Sequence, residues 1–459
     1  MKTSTELTQR RTDALALLEK KIQESALSME EGQRTQLLQR SDSNQSPITQ
    51  QHIDAWAVRD KKALKFIASV EESKRDQLLQ QYEAIRTRRY QCFLAAIDSE
   101  ALVNSFAKVS NIESMQATTL AMAAPTSGST RYVSPQGDDN NLGTQTAPFR
   151  TIQRAINTGA GMIRLADGTY EGFHVPGFSM VQITGNINNP GAVIINGNGS
   201  GTVISNGLGF GFGFLSLSGM TITGGGANDN QAVIELEDSF FTSNIIITSN
   251  QSNRAIIAVT ALQGFSFQAI YLQNTLMYNN SVVNNGSGIV CGVDVADTDA
   301  EIYLENSTIA DNIAPGTITV GNSVMGIMNS ILYNPLSDIE IGSQVLHTFS
   351  FISYSNVRNV ATLTGKIWIC QGVLDVEPLF VSPEHGMYQL ADNSPCIDAG
   401  SISWVTNDAH LPPAKGTLRN DMGAYGGSNV SAQSYQIVSI GSVQYSYDTS
   451  GNRAKRELA

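Results

Sequence analysis

Four copies of one short phrase set out side chains that suit carbohydrate. They read VIELEDSFFTSN from Val233, AIYLQNTLMYNN from Ala269, EIYLENSTIADN from Glu301 and VMGIMNSILYN from Val324. Alternate residues of a strand face opposite ways, so Ile270, Leu272, Ile302 and Leu304 point in. The outward row is then Glu235, Tyr271, Tyr303 and Gly326, and the next is Glu237, Gln273, Glu305 and Met328. Rings for sugar faces, beside carboxylates and an amide for hydroxyls, are what a neutral glycan needs. The same tyrosines would serve equally to cover a loop or a partner, and the strand AIIAV from Ala255 would separate Glu235 from Tyr271.

A second set of groups has the chemistry of a hard cation. Asp294, Asp297, Asp299 and Glu301, in GVDVADTDAEI, carry oxygen ligands spaced as a loop folds them around calcium. The competing reading is a solvated acidic turn. Should the chain be catalytic, Arg254 and Glu235 are the candidates, because basic side chains are scarce. Between Gly177 and Gly372 they are Arg254, Arg358 and Lys366, with His347 the one histidine. His174, His385 and His410 sit in turn-like sequence without a ligand-like partner. The four cysteines, Cys92, Cys291, Cys370 and Cys396, are far apart and read as small apolar residues.

What must hold these groups is a stack of coils. Leu272 to Leu304 is a step of 32 residues and Leu304 to Ile327 a step of 23, the period of a solenoid with loops of variable length. One coil cannot bury its own apolar face; stacked coils share a core. Asn274, Asn306 and Asn329 fall at the same point of successive copies. They are expected to occupy one turn and to ladder through their amides. In GFGFGF, Phe212 and Phe214 are expected to stack inside the solenoid.

Before the repeats, residues 1–115 read as an α-helical hairpin or small bundle. Leu15, Leu18, Ile22, Ala26 and Met29, then Leu64, Ile67, Val70, Leu78, Tyr82 and Ile85, follow helical spacing, and SDSNQSP breaks the two runs. Such stripes are normally core or an oligomerisation and docking surface. A linker, 116–130, follows. The stretch 1–115 holds 17 basic and 16 acidic residues, whereas 116–430 holds 9 and 23. An acidic solenoid is unsuited to nucleic acid, and no apolar run is long enough to span a bilayer. The first twenty residues are charged throughout, which predicts a route other than a Sec signal peptide for any export.

Residues 131–427 bear a family likeness. Tyr132, Val133, Ser134, Pro135, Gly137 and Asp139, then Pro148, Phe149, Thr151, Ile152 and Ala155, then Gly168, Thr169 and Tyr170 resemble the opening module of right-handed parallel beta-helix proteins of the pectate-lyase-like superfamily. The closing phrases, with Pro378, Leu379, Phe380, Tyr388, Leu390, Ser394, Pro395, Ile397, Asp398, Ala399, Gly400, Asp421, Gly423, Ala424 and Tyr425, are similar to the ends of exported bacterial members, with Glu377 where Asp is usual. The resemblance implies a mainly β, right-handed parallel beta-helix, a capping helix near 151–156, and action outside the cell or on its surface. The hydrolase signatures of that superfamily, paired Asp and Gly-His among them, are absent from the repeats, as are the lyase motifs. Residues 428–459 resemble one YD, or RHS-type, repeat through Tyr445, Tyr447, Asp448, Gly451, Asn452 and Arg453.

The expectation is therefore a beta-helix that recognises polysaccharide or glycan along an elongated face. The alternatives are a polysaccharide lyase or glycoside hydrolase with an unfamiliar site, and a structural or effector component of an adhesion or contractile injection machine.

Overall fold

The computed structural model describes residues 130–177, 179–207, 214–226, 231–259, 269–283, 288–291, 301–320, 324–335, 339–343, 350–363, 367–401, 408, 414–427, 439–440, 443–447 and 453–458. The expected helical hairpin of 1–115 and nearly all of the linker lie outside them. The chain divides into units Met1–Phe93 and Leu94–Ala459, and everything described belongs to the second.

That unit is a parallel β-helix. Its longest sheet runs, in spatial order, through Thr130–Val133, Met162–Leu165, Met180–Thr184, Phe214–Thr223, Ser239–Thr248, Ala269–Tyr278, Glu301–Glu305, Val324–Met328, Phe351–Ser353 and Trp368–Ile369. Every neighbouring pair is parallel. A second parallel sheet stacks Phe173–Pro176, Ile204–Gly207, Ile234–Leu236, Ala255–Val259, Gly288–Cys291, Gly316–Val320 and Ile339–Ser343. Each coil thus makes a strand, bends, makes a second strand and turns into a third. These are called here the first, second and third faces.

The bend explains the repeated asparagine. Gly219, Asn244, Asn274, Asn306, Asn329 and Tyr354 all have left-handed backbone, with φ between 43° and 67°. Asn tolerates that conformation because its short polar side chain bonds locally. One residue later Thr275, Ser307, Ser330 and Ser355 form a buried file. The backbone N–H of each of the first three donates to the hydroxyl of the next, at 3.1–3.2 Å. Inside, Leu272, Leu304, Ile327 and Ile352 stack under the first face, and Ile247, Met277, Ile309, Leu332 and Val357 under the second. All are at most 1% exposed. Identical depth in each coil is what lets neighbours share one core.

The opening motif seals one end. Asp139 Oδ1 accepts the backbone N–H groups of Arg150 and Thr151, each at 2.9 Å, and Oδ2 accepts the Thr151 hydroxyl at 2.8 Å. Thr151 then caps the helix Ile152–Asn157, which buries Ile152, Ala155 and Ile156 against the core. Tyr170 donates its hydroxyl to the Ala166 carbonyl at 2.7 Å. These bonds give the GDD, FRTI and GTY phrases their physical reason: together they close an otherwise open strand edge.

The closing phrases do not cap the far end. Residues 375–401 and 414–427 turn back along the outside of the second face. Ile246, Leu276 and Ala310 of that face cluster with Tyr388, Ala424 and Tyr425, and Ile331 packs with Leu390, Cys396 and Met422. Further on, Val443–Tyr447 and Arg453–Leu458 pair antiparallel. Of the YD-like residues, Asp448, Gly451 and Asn452 lie outside the described residues.

Candidate functional site

The first face carries two outward columns in register. One reads Phe241, Tyr271, Tyr303, Gly326 and Phe351. The other reads Arg164, Thr184, Ser218, Ser243, Gln273 and Glu305. Phe214 also points outward, its ring centroid 4.7 Å from that of Phe241, because Leu215 and Leu217 hold the inward positions. The inside placement expected for Phe214 is therefore corrected, and Phe212 lies outside the described residues.

Tyr271 and Tyr303 share the column as expected but are not exposed platforms. They are 5% and 7% exposed. Ring centroids of Phe241 and Tyr271, and of Tyr271 and Tyr303, are 6.1 Å apart at interplanar angles of 18° and 34°. In-register parallel strands lie about 4.8 Å apart, so identical positions bring ring against ring and the faces a sugar would use cover one another. The Tyr271 hydroxyl donates to Glu305, and Gln273 Nε2 donates to the same carboxylate oxygen at 3.3 Å. The carboxylate thus ties two strands of adjacent coils together while staying half-buried beside Gln273.

Glu235 and Glu237 do not belong to these columns. Register pairs Phe241, not Glu235, with Tyr271, and Ser243, not Glu237, with Gln273. The true first copy is SFFTSNIIITSN from Ser239, six residues later than the apparent one. Glu235 sits on the third face between Ser205 and Ala258. There it forms an ion pair with Arg254, the side chains 21% and 31% exposed, and accepts the Ala232 N–H at 2.9 Å. Its column continues to His174, which is in a strand rather than a turn and whose Nδ1 is 2.8 Å from Ser205 Oγ. Glu237 stands at the corner, its N–H donating to the Asn206 side chain at 3.0 Å.

Asp294, Asp297 and Asp299 lie outside the described residues. Glu301 is no loop residue: it opens a strand between Ala269 and Val324 and is 1% exposed. Among the described residues no three His, Cys, Asp or Glu side chains converge as metal ligands.

The asparagine ladder exists, but one turn further along than the sequence suggests. Asn250 Nδ2 donates to Asn280 Oδ1 at 2.9 Å, Asn280 to Asn312 at 2.8 Å and Asn312 to Asn334 at 3.0 Å. All four are buried. The last Asn of each phrase was the available signal. Asn274 and Asn306 instead hold the returning segment. Asn274 Nδ2 donates to the carbonyls of Ala424 and Gly426, and Asn306 Nδ2 to Asn420 and Asp421. The Ser401 N–H donates to Asn329 Oδ1 at 2.8 Å. The returning segment thus covers the second face at Ile246, Leu276, Ala310 and Ile331.

A parallel β-helix with a partly open polar column is thus the class of protein these residues define. Residues 135–349 match the family described as a protein of unknown function (DUF1565). No curated protein matches the sequence. Among solved structures, the crystal structure of Escherichia coli YbhC is similar at 14% identity, covering 51% of this chain and 73% of that one, with a TM-score of 0.29. A GH136 lacto-N-biosidase from Eubacterium ramulus is similar at 13% identity, covering 67% of this chain and 70% of the other, with a TM-score of 0.24. Its native form gives 12% identity, 69% of each chain and a TM-score of 0.22.

Proposed function

We propose that this chain acts outside the cell or on its surface and recognises a neutral glycan laid along the first face. The observation that carries the reading is the column Arg164, Thr184, Ser218, Ser243, Gln273 and Glu305, one guanidinium, three hydroxyls, an amide and a carboxylate in strict register. At about 4.8 Å per coil it extends roughly 24 Å, a length for several sugar units. Polar groups with adjustable donors and acceptors suit hydroxyls along a chain. The neighbouring tyrosines contribute hydroxyls and ring edges, and their mutual stacking keeps the column rigid. Glu305, the carboxylate of the column, adds an acceptor for sugar hydroxyls.

An enzymatic reading is favoured by one separate observation, the half-open Glu235–Arg254 pair beside Ser205 and His174 on the third face. A glycan-array screen with and without calcium, followed by reducing-end and unsaturated-product assays on each hit, separates the two. Binding without product, weakened tenfold or more by Gln273→Ala with Glu305→Ala while the β-sheet circular dichroism is retained, is the expected result. Binding indifferent to that double change overturns the reading. Product lost in Glu235→Gln would establish the enzyme. Dependence on calcium would direct attention to Asp294, Asp297 and Asp299.

A further inference from the structure

The returning segment is held partly by two carboxylates that have no business being charged where they lie. Asp408 is 0% and Asp421 2% exposed. Asp408 Oδ2 accepts the N–H of Asp421 at 2.6 Å and of Gly427 at 3.2 Å, while Oδ1 is buried without a hydrogen-bond partner. Asp421 accepts the N–H of Asp398 at 2.8 Å and of Lys415 at 2.7 Å. Among the described residues, the groups facing the pair offer no compensating cation. Asp398 is a third acid, bonded to Thr417. The Lys415 ammonium is engaged by Asp392, and the Arg419 guanidinium by the Gly400 carbonyl at 2.8 Å. From the solenoid side come Asn306, whose amide bonds to Asn420 and the Asp421 carbonyl, and Thr308, whose hydroxyl accepts the Ala424 N–H at 2.9 Å.

An unpartnered, fully buried carboxylate oxygen is costly as an anion and tolerable as a neutral acid. We propose that Asp408 and Asp421 form a proton-linked latch: the pair holds a proton while 414–427 grips the second face, and losing it weakens the grip. Burial, then the neighbouring acids, push Asp408 up to about 6 and Asp421 up to about 7. The direction follows from linkage. The gripped state holds protons that the released segment, with ordinary acids near pH 3.9, gives up. The grip is strongest at low pH, declines as pH rises from about 4 to about 7, and levels off above that.

Hydrogen exchange of the full chain, followed by mass on peptides from 414–427 and corrected for the intrinsic pH dependence of exchange, tests this between pH 5.0 and 7.5. The opening constant is expected to rise at least tenfold, since one proton held only in the closed state is worth about tenfold per pH unit. In Asp408→Asn the slope should fall and protection at pH 7.5 should exceed wild type. Asp421→Asn serves as the second variant if the first does not fold, read by its slope alone, because the amide nitrogen cannot accept one of the two N–H groups that the carboxylate accepts. Wild-type protection unchanged over that range, or a variant with the wild-type slope, overturns the latch. Protection restored at pH 7.5 by added calcium and removed by a chelator also overturns it, because the pair would then hold a cation.

Discussion

Asn274 gives its side-chain amide to the carbonyl of Ala424 at 3.1 Å, across 150 positions of sequence. The residue that bends each coil is thereby also the fastening for the end of the domain. Its left-handed backbone turns the side chain outward, away from the file of Thr275 and Ser307, and into the returning segment.

Changing Asn274 to Gly keeps the bend, because glycine accepts positive φ, and removes the fastening. Protection of 420–427 should fall by a factor of about 5 to 30, corresponding to about 1–2 kcal/mol for two lost bonds, while amides of 269–273 keep theirs. Equal loss in both places would mean the bend itself needs asparagine.

Asn280→Ala breaks the ladder in its middle. Asn280 Nδ2 also donates to the carbonyls of Ile247 and Tyr278, at 2.9 and 3.0 Å, so several buried groups lose their partner. A loss of about 3 kcal/mol or more is expected, read as a lowered denaturation midpoint of the β-sheet circular dichroism.

Gly326 occupies the place of a ring in the aromatic column. A Cβ there would lie 2.6 Å from Tyr303 Cδ1 and 2.8 Å from Phe351 Cζ. Gly326→Val should cost about 1–3 kcal/mol through overpacking, seen as a lower melting temperature; an unchanged one would show that the rings yield freely.

Asp139 behaves oppositely to the latch pair. Desolvation raises its pKa, but the bonds from Thr151 and Arg150 outweigh it and hold the group below the ordinary value. Stability from this bonding is present above pH 4 and lost as pH falls further. Asp139→Ala should cost about 1–2 kcal/mol at neutral pH and flatten the acid limb of a pH-melting curve.

The sequence by itself determined the solenoid and the inward positions of Ile270, Leu272, Ile302 and Leu304, and its resemblance to the opening phrases of known beta-helices implied the sealed end. Those depend on alternation, on a repeated left-handed bend and on contacts a few residues apart, all of which local chemistry dictates. The position of Asn280 at the end of its phrase was equally legible, since a buried amide recurring once per coil can bond along the stack.

Tertiary structure alone decided which residues become neighbours. VIELED resembles the later copies, yet register places Phe241, six positions beyond Glu235, beside Tyr271, because coils of unequal length align by stacking rather than by phrase. The same stacking closed the tyrosine faces that alternation alone leaves open. Only the folded chain brings 420–427 onto Asn274 and Asn306, since a contact across more than a hundred residues leaves no periodic trace.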